Sequence, residues 1–279
     1  MNLRFAMRAV LSHPVVLSHA LKGRRAMSNY YWELERAKWL RFISSFPDHA
    51  VYTHGFWMYA DPPDFVYSSL CEGEPHEPNT SRLLRRITEN AFFVDIGANI
   101  GWYSLLCAKR AKRIVAVEPE SRNFEYLLRS IEKNGFKNVE ALQMCIGAND
   151  GWTDLYLSTE HSGLHSTKVK VGENSICTEC KTLDSLFPHE FIDVLKIDVE
   201  GGEPEVLEGA QRILRERRVG KIVMEWTPEV WEGRRALISE FKVSKIPESY
   251  PRTNVFLTWK SQNQQYGLPL AKDSKKEIW

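Results

Sequence analysis

The chain has 279 residues, of which 43% are hydrophobic and 26% charged, with a formal net charge of +1. That length carries one large domain with an extension, or two modest domains, and the composition is that of a globular protein with a real core. A near-neutral balance calls for no polyanionic partner, although it leaves room for a local basic patch.

Five cysteines lack the dense spacing of a secreted disulfide scaffold. Cys107 and Cys145 sit in apolar runs and read as small buried hydrophobes. Cys177-Thr-Glu-Cys180 is a single CxxC, short of the four ligands of a structural zinc site. Residues 1–21 mix Arg4, Arg8, His13, Pro14 and His19 into an apolar stretch. That pattern suits neither a signal peptide nor a membrane span of about 20 apolar residues, so a cytoplasmic location is expected.

Helical spacing of Trp32, Leu34, Trp39, Leu40 and Ile43 predicts an N-terminal helical segment over 29–46. Two apolar runs, 51–60 and 65–67, flank Asp61-Pro-Pro-Asp64 and predict a strand, a turn and a strand. From residue 91 the pattern becomes periodic. It predicts strands at 91–96, 113–117, 139–146, 191–199 and 221–225, with a last one at 255–259. A helix is expected over 100–110. Another begins at an N-cap Ser121, presents Phe124, Leu127, Leu128 and Ile131, and stops at Asn134-Gly135. Residues 151–180 alternate and turn, which predicts an inserted antiparallel pair. Pro204 opens a helix with Val206, Leu207, Ala210, Ile213 and Leu214 inward. Strands alternating with helices specify an α/β fold with a mostly parallel, doubly wound sheet covered on both faces. The expected division is an N-terminal helical and hairpin extension over 1–80 and the α/β domain over 81–279.

Three segments carry the chemistry. Asp95-Ile-Gly-Ala-Asn-Ile-Gly101 ends the first strand of the periodic region. Gly97 lets the chain turn sharply and Gly101 lets a helix and a ligand approach closely. The spacing is not GxGxxG, and a carboxylate two residues ahead of the turn would repel a diphosphate. A cationic amino-acid group, such as the methionyl ammonium of S-adenosylmethionine, would be attracted. Glu118 follows Gly97 by 21 residues at the tip of the next strand. An acid there is placed to accept both ribose hydroxyls. Cys145 and Ile146 could wall an adenine. The third segment, Lys196-Ile-Asp-Val-Glu-Gly-Gly-Glu203, puts Lys196, Asp198 and Glu200 on one side of a strand by alternation. Such groups are costly at a buried strand end unless paired or functional.

These residues together resemble the FkbM-type methyltransferase family. The matching segments are Glu77-Pro-Asn-Thr80, Val94 to Tyr103, Val117-Glu-Pro119 with Asn123, Thr182-Leu-Asp184 and Lys196-Ile-Asp-Val-Glu-Gly201, within residues 50–227. The resemblance implies a Rossmann-like, seven-stranded methyltransferase sheet and S-adenosyl-L-methionine as cofactor. It implies cofactor contacts from Glu77, Thr80, Asp95, Gly97, Ala98, Asn99, Gly101, Glu118, Pro119, Asn123 and Asp198. Asp198 and Glu200 would face the reacting methyl and serve as first candidates for a base, with His165 and Glu225 behind them. No metal is assigned, although Asp198 with Glu225 could ligate a hard divalent cation. O-methylation of a small hydroxylated acceptor, a sugar or a secondary metabolite, is the expected reaction, with a homodimer possible. Two rival readings are a nucleic-acid methyltransferase, using Lys109–Arg113 and Arg212–Arg218 as a basic face, and a non-catalytic cofactor-binding module.

Overall fold

The computed structural model describes residues 50–60, 75–157, 166–167, 174–248 and 253–260. They divide into two units, one ending at His76 and the other beginning at Glu77. In the first, β1 (Ala50–Thr53) and β2 (Phe56–Tyr59) form an antiparallel hairpin with Thr53 opposite Phe56. The turn is His54-Gly55, both at positive φ (47° and 93°), the two-residue geometry that matches strand twist. The sequence pattern put one strand across this turn. An apolar run that is continuous on paper hid a turn made by one histidine and one glycine. The expected helix over 29–46 and the turn at Asp61-Pro-Pro-Asp64 lie outside the described residues.

The second unit is built on a seven-stranded sheet. Its strands are β3 (Phe92–Ile96), β4 (Arg113–Val117), β5 (Val139–Leu142), β9 (Ile192–Ile197), β10 (Val219–Trp226), β11 (Phe241–Ile246) and β12 (Thr253–Trp259). The order is β11-β12-β10-β9-β3-β4-β5. The five strands from β10 to β5 run parallel, and β12 is antiparallel to both β10 and β11. β-Branched and leucine residues fill the parallel strands because both sheet faces are covered. Val94, Ile96, Leu195, Ile197 and Met224 pack with Val206, Leu207, Ile213 and Trp231 in one core.

The helices are α1 (Pro78–Ile87), α2 (Trp102–Cys107), α3 (Ser121–Asn134), α4 (Leu183–Leu186), α5 (Glu203–Glu208) and α6 (Gln211–Arg215). α3 ends on Gly135 at φ 66°, as expected, but its cap is Glu120 rather than Ser121. The Glu120 carboxylate accepts from the Asn123 amide at 2.8 Å, and an anion is favoured at that end of the helix dipole. The helix expected from Pro204 is two short ones. Asp184 starts the second by accepting from the amides of Arg212 (2.8 Å) and Ile213 (2.9 Å). Thr182 caps α4 in the same way. The Thr182-Leu-Asp184 segment is therefore a pair of helix caps.

The strand expected over 139–146 also divides. β5 belongs to the main sheet, whereas β6 (Cys145–Ile146) pairs with β8 (Ser175–Lys181) in a separate three-stranded sheet completed by β7 (Gly151–Tyr156). β7 and β8 are the inserted antiparallel pair. Unanticipated is β11, whose exposed Lys242 and Lys245 suit an edge strand that must not pair with another chain.

Gly97 fixes how closely two strand ends meet. Its φ is +74°, and a Cβ there would lie 1.8 Å from the backbone oxygen of Asp198. Gly97→Ala is expected to cost about 3 kcal/mol or more, from backbone strain plus overpacking against a main chain that cannot move aside. Urea unfolding checks this; a loss below about 1 kcal/mol would contradict it.

Candidate active site at the carboxyl ends of the central strands

The chain leaves β3 toward β4 on one side and leaves β9 toward β10 on the other, so β3 and β9 flank the point where strand order reverses. Open α/β sheets bind ligands in the crevice this reversal makes. The glycine turn lies there. The amides of Gly97 and Ala98 donate to the carbonyl of Val117 (3.0 and 2.9 Å), and Asn99 adopts φ 52°. The Asn99 amide then donates to Glu118 Oε2 at 2.8 Å, while the Glu120 amide donates to Oε1 at 3.0 Å. The Asn123 side chain also bonds this carboxylate. Glu118 thereby ties the turn after β3 to the tip of β4, flanked by Pro119. Burial pushes its carboxyl up to about 7 against the lowering effect of those donors. Gly101, at φ +95°, would place a Cβ 2.5 Å from Leu127 Cδ1, so its lack of a side chain admits α3 to the turn. Ala98 packs beside Leu127.

Asp95 has no exposed surface. Its Oδ2 accepts from Ser104 Oγ at 2.7 Å, and Lys196 Nζ lies 3.6 Å from Oδ1. Lys196 also reaches Asp198 Oδ2 at 3.2 Å and sits 4.7 Å above the Tyr103 ring. Burial raises the Asp95 carboxyl despite Lys196. Burial alone would depress Lys196, but Asp198 and Asp95 together hold it above the usual lysine range. Tyr103 donates to Glu77 Oε2, and burial with that carboxylate raises its phenol.

Asp198, Glu200 and Glu225 bring carboxylate oxygens within 4.8 Å of one another. Glu200 does not arrive by strand alternation. β9 ends at Ile197, and Glu200 turns in at φ 54°. Glu203 shapes that turn, its Oε1 accepting from the amides of Val199 (3.1 Å) and Gly201 (3.2 Å). Ser166 Oγ donates to the Glu200 carbonyl at 2.8 Å. Three oxygen donors of this kind suit a hard divalent cation, while the Lys196 ammonium beside Asp198 competes for the same charge.

Glu77 and Thr80 sit at the start of α1. Thr80 is fully buried, and its Oγ1 donates to Glu248 Oε1 at 2.9 Å while accepting from Asn254 Nδ2 at 3.1 Å. Cys145 and Ile146 are buried in β6. Burial first, then Cys180 and Glu118, push the Cys145 thiol to about 12. His165 lies outside the described residues.

Sequence reasoning missed Tyr103, Glu203, Glu248 and Asn254. Glu203 had a local signal, since it closes the Asp198-Val-Glu-Gly-Gly-Glu203 turn. Glu248 and Asn254 come from the far end of the chain and had none.

The doubly wound, mostly parallel sheet with β12 reversed is a Rossmann-like α/β fold. The chain belongs to the FkbM methyltransferase family, the Methyltransferase FkbM domain matching residues 95–263. It is 28% identical to methyltransferase sdnD of Sordaria araneosa over 52% of this chain and 70% of that protein. To methyltransferase 1 of Beauveria bassiana it is 25% identical, over 56% of this chain and 73% of that one. Among solved structures it is similar to the tRNA (uracil-54, C5)-methyltransferase of Pyrococcus abyssi in complex with S-adenosyl-L-homocysteine. That likeness is 14% identical with a TM-score of 0.45, covering 77% of this chain and 45% of the other. Among the described residues no helix is long and apolar enough to cross a membrane.

Proposed function

We propose that the crevice binds S-adenosyl-L-methionine and that the enzyme transfers its methyl group to a hydroxyl of a small acceptor. The observation that carries this reading is Glu118, a carboxylate at the tip of β4 bonded to the amides of Asn99 and Glu120. With the Asn123 side chain, these donors leave the carboxylate about one acceptor position for a ribose hydroxyl. The acids gathered at the neighbouring strand ends favour a sulfonium and disfavour a diphosphate, which argues against a nicotinamide cofactor. Asn99, Pro119 and Asn123 would frame the ribose, and Cys145 with Ile146 one side of the adenine.

The cofactor supplies the leaving group, so this chain's residues position the acceptor and exclude water. Asp198 faces the reacting end as the first candidate for a base, with Glu200 and Glu225 beside it. Asp198→Asn is expected to lower turnover at least about a hundredfold, the range for a general base. The change in cofactor affinity should stay within about threefold. Transfer of labelled methyl groups to a hydroxylated acceptor library, with calorimetry alongside, measures both. Equal losses in turnover and affinity would instead make Asp198 a cofactor ligand.

The nucleic-acid reading is weaker. Arg113 opens β4, and Arg218 immediately precedes β10, so both basic clusters lie toward the amino ends of the strands, opposite the crevice. Several of these cations already have acidic partners, Arg110 with Glu89, Arg113 with Glu140 and Arg217 with Glu240.

A further inference from the structure

The start of α1 is a carboxylate seat that is already filled. Thr80 donates to Glu248 Oε1 through both its amide (2.6 Å) and its hydroxyl (2.9 Å), and the Asn79 amide reaches Oε2 at 3.4 Å. Thr80 and Asn254, the side chains that build the seat, are both more than nine-tenths buried. Glu248 itself is only partly buried and follows β11 near the far end of the chain. A helix of this length needs an anionic cap no more than any other, yet this cap is brought from a distant segment of the chain.

The seat adjoins the methyl-transfer region through named contacts. Asn254, which bonds Thr80 and Glu77, is the register partner of Glu225. Glu77 accepts from Tyr103, whose ring lies under Lys196, the partner of Asp95 and Asp198. A methionyl group entering beside the glycine turn brings an α-carboxylate and an ammonium. The amides and hydroxyl of Asn79 and Thr80 match the first in chemistry, and the Glu77 carboxylate one residue before the helix matches the second.

We infer that Glu248 is an internal competitor for the cofactor: it occupies the seat of the methionyl carboxylate in the free protein and yields it on binding. This rests on the S-adenosylmethionine reading. Displacing an intramolecular occupant reduces the apparent affinity by the fraction of protein in which the seat is open. Removing the competitor therefore raises affinity, but only for ligands that carry the amino-acid group.

The test is calorimetry with two probes, S-adenosylhomocysteine and 5′-methylthioadenosine, which shares the nucleoside but lacks the amino-acid part. Glu248→Ala is expected to bind S-adenosylhomocysteine about tenfold more tightly, with 5′-methylthioadenosine unchanged. Glu248→Gln, which keeps the cap's shape and loses its charge, should move the same way by a smaller factor if α1 frays in the alanine variant. Unchanged or weaker S-adenosylhomocysteine binding in both Glu248 variants would overturn the inference and leave Glu248 a helix cap. A wild-type protein that binds neither probe would overturn the cofactor reading itself.

Discussion

Glu118→Ala is expected to weaken S-adenosylmethionine binding by about 30- to 100-fold. Hydrogen bonds to a charged group contribute roughly 1.5–3 kcal/mol each when a buried partner is lost. The variant also releases the Asn99 and Glu120 amides, which loosens the turn after β3. Calorimetry measures the loss, and an affinity within about threefold of wild type would remove Glu118 from the site. The same residue sets a pH dependence. Its carboxyl is raised to about 7 in the folded chain, so below that pH it is largely protonated. Ribose hydroxyls donate to the ionised form, so affinity should rise with pH up to about 7 and level off above it.

Stability should move the other way, because a raised carboxyl favours the folded state while protonated. That contribution is fully present below the unfolded value near 4.5 and is lost as pH rises through about 7. The size of the loss is about 3 kcal/mol. A protein that becomes less stable as its cofactor affinity rises is the expected signature of an acid held buried for binding.

The second large effect concerns Lys196. Lys196→Met is expected to destabilise the protein by about 3–5 kcal/mol, because it leaves Asp95 buried without its cation. Asp95 is the more demanding partner, having no exposed surface and one hydrogen bond from Ser104. Combining Lys196→Met with Asp95→Asn removes the charge with its partner and should recover most of the loss. Urea unfolding of the two single variants and the double variant gives the coupling directly. Additive losses would show that the two residues act independently. The pair also changes what Asp95 can do. Its carboxylate is engaged with Lys196 and Ser104, so ionic attraction for a cationic cofactor falls more heavily on Glu77 and Glu118 than the sequence spacing alone suggested.

The parallel strands were legible because each is a run of β-branched and apolar residues bounded by a turn, and the glycine turn with its neighbour Glu118 because their spacing is local in the chain. Other features depended on contacts between distant segments. The split after Leu142 arises because Cys145 and Ile146 pair with β8, which no pattern within 139–146 announces. Glu120 displaced Ser121 as a cap because its carboxylate reaches the Asn123 amide, a choice that short-range preference leaves open. Glu200 required a positive φ to join Asp198 and Glu225, so strand alternation gave the right neighbours for the wrong reason. Glu248 and Asn254 were invisible because their partners at Glu77 and Thr80 lie at the opposite end of the domain sequence.

The placement of the cofactor is tested most directly by hydrogen exchange with and without saturating S-adenosylhomocysteine. Protection is expected in peptides spanning 95–101 and 117–123, where amide donors meet Glu118 and the glycine turn. Protection confined to 109–113 and 212–218, at the amino ends of the strands, would contradict it.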